Sequence, residues 1–218
     1  AGSQYQITAT QFFTLRLTYP QIVGWVFEPN GTTPTTATAI LERPTPGGYE
    51  WVAGNMATPW QQYRLGLLSP GAYALYAGLQ EVPGSPFFAS PRVTVTIAPG
   101  SLYSPPQVVS LTLTLPQLSG VVVAPDGVTR VRSWVDLLDR YGDWAAVADA
   151  PVDQPFRFGL LSAGQYGALA TPIEPGPYWQ SERVSVTLNS AGQFITLTLR
   201  SPNVTGRVLL SNGVPVTQ

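Results

Sequence analysis

Carboxylates, hydroxyls and guanidinium groups are the side chains through which this chain could do chemistry. Its 218 residues include no Cys and no His, and all eleven basic residues are Arg. That removes His/Cys zinc sites, Ser-His-Asp and Cys-His nucleophiles, Schiff-base lysines and the phosphate-loop lysine. Carboxylate-only catalysis of the glycosidase kind remains chemically open, but the twelve Asp and Glu form no paired acidic signature. The reading is therefore of a protein that is not an enzyme, with no catalytic residue, no metal and no cofactor.

Three other groups of residues could bind something. Asp136, Asp139, Asp143, Asp149 and Asp153 crowd one stretch, and hard cations take carboxylate oxygens. Their spacing is not that of a tight calcium loop, so solvated strand ends are the better expectation. Six Trp could stack sugars, although aromatics dominate buried area in most domains, so core or inter-domain packing is expected of them. Glu42/Arg43 and Asp139/Arg140 read as surface ion pairs, worth roughly 0–1 kcal/mol. Asn30-Gly-Thr32 and Asn203-Val-Thr205 fit the N-glycosylation triplet. Thr32, Thr33, Thr35 and Thr36 beside Pro34 offer hydroxyls for O-linked sugars.

Charged residues make up 11% of the chain and the net charge is −1, against about 25% charged residues in ordinary domains. A surface this neutral associates readily. It offers no basic patch for nucleic acid and no polybasic stretch for anionic lipid. No apolar run reaches the roughly 20 residues of a membrane span, so membrane insertion is not expected. Ala1-Gly2-Ser3 lacks the basic and apolar stretches of a secretion signal. Without Cys there is no disulfide framework, and stability must come from burial.

The elements that hold these residues repeat. Leu15-Arg-Leu-Thr-Tyr-Pro-Gln-Ile-Val-Gly24 recurs as Leu111-Thr-Leu-Thr-Leu-Pro-Gln-Leu-Ser-Gly120, and Ser201-Pro-Asn-Val-Thr-Gly206 begins it again. Gly24, Gly120 and Gly206 stand 96 and 86 residues apart, and each is followed seven residues later by Gly31, Gly127 or Gly213 in an Asn-Gly or Asp-Gly turn. Tyr63-Arg-Leu-Gly-Leu-Leu-Ser-Pro-Gly-Ala-Tyr73 matches Phe156-Arg-Phe-Gly-Leu-Leu-Ser-Ala-Gly-Gln-Tyr166. Ile40-Leu-Glu-Arg43 is aligned with Leu137-Leu-Asp-Arg140, and Pro86 to Val93 with Pro177 to Val184. Such repetition signals an array of similar units.

Within each unit, short runs of Val, Leu, Thr and aromatics alternate with Gly/Pro clusters, which predicts an all-β fold. In the second unit strands are expected over 118–124, 131–139, 143–148, 155–160, 164–171, 183–188 and 193–200. The 22 prolines argue against long helices. Seven strands in about 90 residues fit an immunoglobulin-like sandwich.

The segment Phe156-Arg-Phe-Gly-Leu-Leu-Ser-Ala-Gly-Gln-Tyr-Gly-Ala-Leu-Ala170, with the opening Gly120-Val-Val-Val-Ala-Pro-Asp-Gly127, resembles the carboxypeptidase-regulatory-like and collagen-adhesin B-type repeats. The resemblance implies tandem prealbumin-like β-sandwich domains that serve as spacers, stalks or pilin modules outside the cell. Adhesin-type members often carry a Lys–Asn isopeptide crosslink, and a chain without Lys cannot form it.

The expected division is a terminal strand over 1–19, sandwiches over 20–115 and 116–201, and the opening strand of a further unit over 202–218. Phe12, Phe13, Leu15 and Leu17 form an apolar strip like the closing strand of a repeat; Val204, Val208 and Leu210 form one like an opening strand. Either the chain is a window from a longer array or neighbouring subunits complete these strips. The expected partners are copies of itself or adjoining repeats, head to tail, and glycans. Two functions stay open: an extracellular filament or cell-surface stalk, stiffened at Pro116 and Pro202, and an adhesin or carbohydrate-binding array. Accessory repeats of a secreted enzyme are a third.

Overall fold

The computed structural model describes residues 18–79, 85–189 and 192–202. Every regular element in them is a β-strand apart from one 3-10 turn at Ser101–Tyr103. The first half comprises β1 Ile22–Gly24, β2 Val26–Phe27, β3 Ala37–Thr45, β4 Gly48–Ala57, β5 Tyr63–Leu65, β6 Gly71–Gly78, β7 Val93–Ile97, β8 Gln107–Val108 and β9 Leu111–Thr112. The second comprises β10 Leu118–Val123, β11 Ser133–Leu138, β12 Trp144–Ala150, β13 Phe156–Phe158, β14 Gly164–Pro172, β15 Val184–Leu188 and β16 Gln193–Thr198. The strands expected in the second half are all present, with bounds moved by one or two residues at most ends.

Both halves are built alike. A four-stranded antiparallel sheet, β4-β3-β6-β7 or β12-β11-β14-β15, faces a smaller sheet, β5-β1-β8 or β13-β10-β16. In the smaller sheets the opening strand pairs antiparallel with the short middle strand and parallel with the closing strand. In the first half that parallel line runs on into β2 and β9, with amides of Gln107, Val109, Leu111 and Leu113 donating to carbonyls of Gln21, Val23, Trp25 and Phe27. Period-two alternation turns one row of each sheet inward. Ile22, Val26, Leu41, Tyr63, Leu75, Ile97 and Leu111 meet in the first core; Leu118, Val135, Leu137, Phe156, Val186, Leu188 and Leu197 meet in the second.

Side chains that bond to backbone recur at equivalent points. The Gln21 amide donates to the Leu68 carbonyl and accepts the Leu68 N–H (3.1 and 2.6 Å). Gln117 does the same with Leu161 (2.9 and 2.7 Å). Tyr73 and Tyr166 donate to the carbonyls of Ser69 and Ser162, four residues upstream. The Ser90 and Ser181 hydroxyls accept the amides of Ala77 and Ala170. Leu67 and Leu160, just before the clamped residues, both hold a left-handed backbone (φ 59° and 58°), uncommon for a side chain of this kind. Gly24 and Gly120 are required by close approach: a methyl there would lie 1.7 Å from the Val109 carbonyl oxygen or 2.2 Å from that of Ile195, on the neighbouring parallel strand.

The structure corrects one alignment. Leu41 pairs with inward-facing Leu75, and Leu137 with inward-facing Ala168. The irregularity between Leu41 and Glu42 matches the one between Leu137 and Leu138. The matching strings Ile40-Leu-Glu-Arg43 and Leu137-Leu-Asp-Arg140 therefore slip by one residue, because two adjacent apolar residues hide which of them faces inward. In the string Leu111-Thr-Leu-Thr-Leu115 the last Leu breaks the inward alternation: it is exposed, lying past the last inward position, Leu113.

Candidate functional site: exposed aromatic faces and the junction between sandwiches

The outer face of each four-stranded sheet is unusually aromatic. Five of the six Trp residues are exposed and Trp25 is half-buried, so the core role expected for them is overturned. The reason is positional. The shared strand irregularity sets Trp51 beside Glu42 and Trp144 beside Leu138, on the outer row of the sheet. Two tryptophans at corresponding places in a repeat could equally mark a core, and sequence equivalence alone does not say which face they occupy.

In the first half this face carries a shallow groove of about 470 Å³. Trp51 and Met56 flank it from β4 and Tyr76 from β6; Ile40 and Gly54 leave the floor low. Its polar groups converge on Glu42. The Tyr76 hydroxyl donates to Oε1 (3.1 Å), and Arg92 donates to Oε2 through Nε and Nη2 (3.1 and 3.0 Å). Arg92 also lies over the rings of Tyr49 and Tyr76, at 4.7 and 4.6 Å. Burial, with the Glu42 charge second, pushes the Tyr76 phenol up. Glu42 thus bonds to Arg92, and Arg43 lies over Tyr73 instead. The second expected pair also dissolves: Arg140 lies over Tyr141, and Asp139 accepts the amides of Tyr141 and Asp143 at the hairpin.

In the second half the equivalent face is built differently. Trp134, Leu138, Trp144, Val147 and Leu169 surround Asp136, which lies opposite Val147 and Leu169 in the sheet. Burial pushes its carboxyl up from the usual range, so Asp136 is not at a solvated strand end as expected. Asp149 pairs with Arg132 (2.8 Å). Among the described residues no three acidic side chains gather as a metal site would need.

The glycosylation triplet at Asn30 lies in the first turn. Asn30 Oδ1 accepts the amides of Thr32 and Thr33 (2.9 and 3.0 Å), and Nδ2 donates to the Thr33 hydroxyl (2.8 Å). Asp126 accepts the amides of Val128 and Thr129 in the same way. The turn by itself accounts for the Asn at 30, since these short side chains favour such loops. Thr35 and Thr36 are half-buried just before β3. Phe12, Phe13, Leu15, Leu17, Asn203, Val204, Val208 and Leu210 lie outside the described residues.

The two sandwiches meet through a contact, Phe88 on Gly159, that the sequence did not mark. A methyl at Gly159 would lie 2.6 Å from the Phe88 ring, so the bare glycine of the second half receives an aromatic ring from the first. Beside them a cleft of about 800 Å³ runs between Phe87, Leu79 and Tyr76 on one side and Ala148, Pro151 and Phe158 on the other.

No protein-family model and no curated protein sequence matches the chain. Solved structures do. The chain is similar to the shaft pilin spaA from Lactobacillus rhamnosus GG at 10% identity and a TM-score of 0.33, over 87% of this chain and 100% of that one. It is similar to GBS52, the minor pilin of Streptococcus agalactiae, at 14% identity and 0.31, over 85% and 99%. A streptococcal ancillary pilin gives 12% and 0.36, over 86% and 64%. Among the described residues, no helix is long and apolar enough to cross a membrane.

Proposed function

We propose that this chain is a structural repeat protein of an extracellular filament or cell-surface stalk, made of tandem immunoglobulin-like, prealbumin-like sandwiches over 20–115 and 116–201. The observation that carries the reading is the parallel pairing of opening and closing strands, six residue pairs long between β10 and β16. Tension applied at the start of β10 and the end of β16 acts at opposite ends of that pair. It loads all the inter-strand bonds together rather than one after another. The closing strand of the first sandwich then passes through Leu113–Gln117 straight into the opening strand of the second. Pulling single molecules by their ends tests this: each sandwich should break in one high-force event. A pulling pair of engineered cysteines that peels β12 from β11 should need much less force. Equal forces in the two geometries would remove the mechanical reading.

The units join head to tail, with segments 1–19 and 202–218 as the strands that link copies or adjoining repeats. By the repeat alignment, Val204 to Leu209 would run parallel to Gln11 to Arg16. Light scattering across a concentration series compares the full chain with one lacking residues 1–17. Mass growing only for the full chain supports strand exchange, and two monomers at every concentration refute it.

The exposed Trp residues favour a second reading, an adhesin that takes glycans. Trp51 and Tyr76 would stack sugar rings in the groove above Ile40. Glycan-array binding abolished by Trp51→Ala would establish it, and an array without signal would end it.

A further inference from the structure

We propose that Trp179 of one copy docks over Gly66 of a second copy, repeating between chains the contact that Phe88 makes with Gly159 inside one chain. The inference rests on the head-to-tail reading above and gives that contact its residues.

Phe88 and Trp179 occupy the same place in their sandwiches. The Phe88 amide donates to the Thr114 carbonyl (2.7 Å) and the Thr114 amide returns to Phe88 (3.1 Å). Trp179 and Arg200 exchange the same two bonds, at 2.7 and 3.3 Å. Two residues further on, Ser90 and Ser181 make the same backbone clamp. Each ring is thus fixed beside the closing strand at the far end of its sandwich. Phe88 is half-buried, because the next sandwich lies against it. Trp179 is 61% exposed.

The socket repeats as well. Gly159 follows β13 and precedes left-handed Leu160; Gly66 follows β5 and precedes left-handed Leu67. The nearest neighbours of a methyl at Gly159 are the Phe88 ring atoms, within 3.1 Å. A methyl at Gly66 meets nothing nearer than Pro20 at 3.4 Å, and no aromatic ring lies among its nearest neighbours. Exposed Tyr19 and Leu67 stand beside this open glycine and supply an apolar rim for a ring larger than Phe.

Among the described residues, two complementary surfaces are therefore filled between the two sandwiches and left open at Gly66 and Trp179. Ring and socket lie on different parts of the chain, so the contact is heterologous, and copies added through it extend a filament unless the rotation closes a ring. Buried aromatic anchors of this type dominate interface energetics.

The absence of native Cys allows a position-specific test on the full chain. In a Phe88→Cys/Gly159→Cys double variant, an added disulfide oxidant should close an internal disulfide, with loss of two hydrogens from the chain and no dimer formed. The Phe88 Cγ lies 2.8 Å from the built Gly159 methyl, which puts the two Cβ atoms within disulfide reach. Gly66→Cys and Trp179→Cys single variants, mixed at concentrations well above that at which the wild type associates, because the Trp179→Cys variant lacks the anchoring ring, should form a disulfide-linked heterodimer on oxidation; neither alone should dimerise efficiently. Trp179→Ala should weaken self-association about 30-fold, the loss typical of an interface anchor. Trp179→Phe, which restores the ring used at position 88, should retain most of it. If the wild type associates but the mixture gives no heterodimer and Trp179→Ala changes nothing, this contact is wrong and the head-to-tail reading survives. Failure of the internal disulfide to close removes the template and overturns the proposal too. If the wild type never associates at any concentration, this contact and the strand exchange between copies fall together, and only adjoining repeats of one chain remain.

Discussion

Where the first sandwich sets Ile40 in the middle of its outer sheet face, the second sets Asp136; where the first has Glu42, the second has Leu138. The groups beneath those faces do not change in this way. Gln21 and Gln117, Tyr73 and Tyr166, and Ser90 and Ser181 each make the same bond to the backbone in both halves. Buried amides and carbonyls must find partners, so a residue that supplies one is held to its type. A residue on the outer row only has to tolerate water, and the two halves have diverged there. Divergence on the face leaves a shallow groove in the first sandwich and sets Asp136 among apolar neighbours in the second, on a common frame.

That contrast is broken most severely at the parallel strand pair. Gly24→Ala and Gly120→Ala each push a methyl into a carbonyl of the neighbouring closing strand. Each should cost at least about 3 kcal/mol, the upper end of overpacking. Urea unfolding of both variants measures this and sharpens the comparison: two separable transitions, with only the mutated half shifted, mean independent sandwiches. A single shifted transition means that the Phe88–Gly159 junction couples them. The clamp comes next. Gln21 is deeply buried, whereas Gln117 is half-buried. Gln21→Ala strands the Leu68 N–H and C=O and should cost about 2–3 kcal/mol, and Gln117→Ala about 1–2. Equal losses in the same titration would show that burial does not set the difference.

Much of the frame could be read from residues. Asn-Gly and Asp-Gly turns placed Gly31 and Gly127, which have φ of 73° and 74°. The strand expected over 183–188 is β15, in which Val184-Ser-Val-Thr-Leu188 alternates and turns Val186 and Leu188 inward. The spacing of Gly24 and Gly120 was visible as a repeat, yet its cause was not, because the carbonyls they accommodate belong to strands about 75 to 85 residues away. Trp51 and Trp144 occupy matching places in the two halves, and the core role expected of the tryptophans put them on the wrong side. A one-residue irregularity reverses a strand's faces, and Leu41-Glu42 beside Leu137-Leu138 leaves no sign of where it falls. Phe88 and Gly159 are ordinary in sequence, and only the packing of one sandwich on the next makes them a site.

The smallest effects come from pH, and two carboxyls of the second sandwich predict opposite signs. Burial between Val147 and Leu169 raises the Asp136 carboxyl. The folded chain therefore holds that proton more readily than the unfolded one, and stability is lost as pH rises through the raised value. Asp136→Asn should unfold at higher urea than the wild type at pH 7, with the gap closing toward about pH 3, where the wild-type carboxyl is protonated in both states. Asp126 runs the other way. The Thr129 hydroxyl, then the amides of Val128 and Thr129, bond to its carboxylate and lower its pKa. Its contribution is present above the ordinary carboxylate range and is lost as pH falls through the lowered value. The first sandwich already carries the control, since Asn30 makes the same turn without titrating. Asp126→Asn should therefore keep the turn and flatten the acid limb of the second sandwich. Midpoints measured from pH 6 to 2 decide it: an Asn variant as acid-sensitive as the wild type would mean that the exposed turn contributes nothing to folding, and that Asp126 and Asn30 are alike only in geometry.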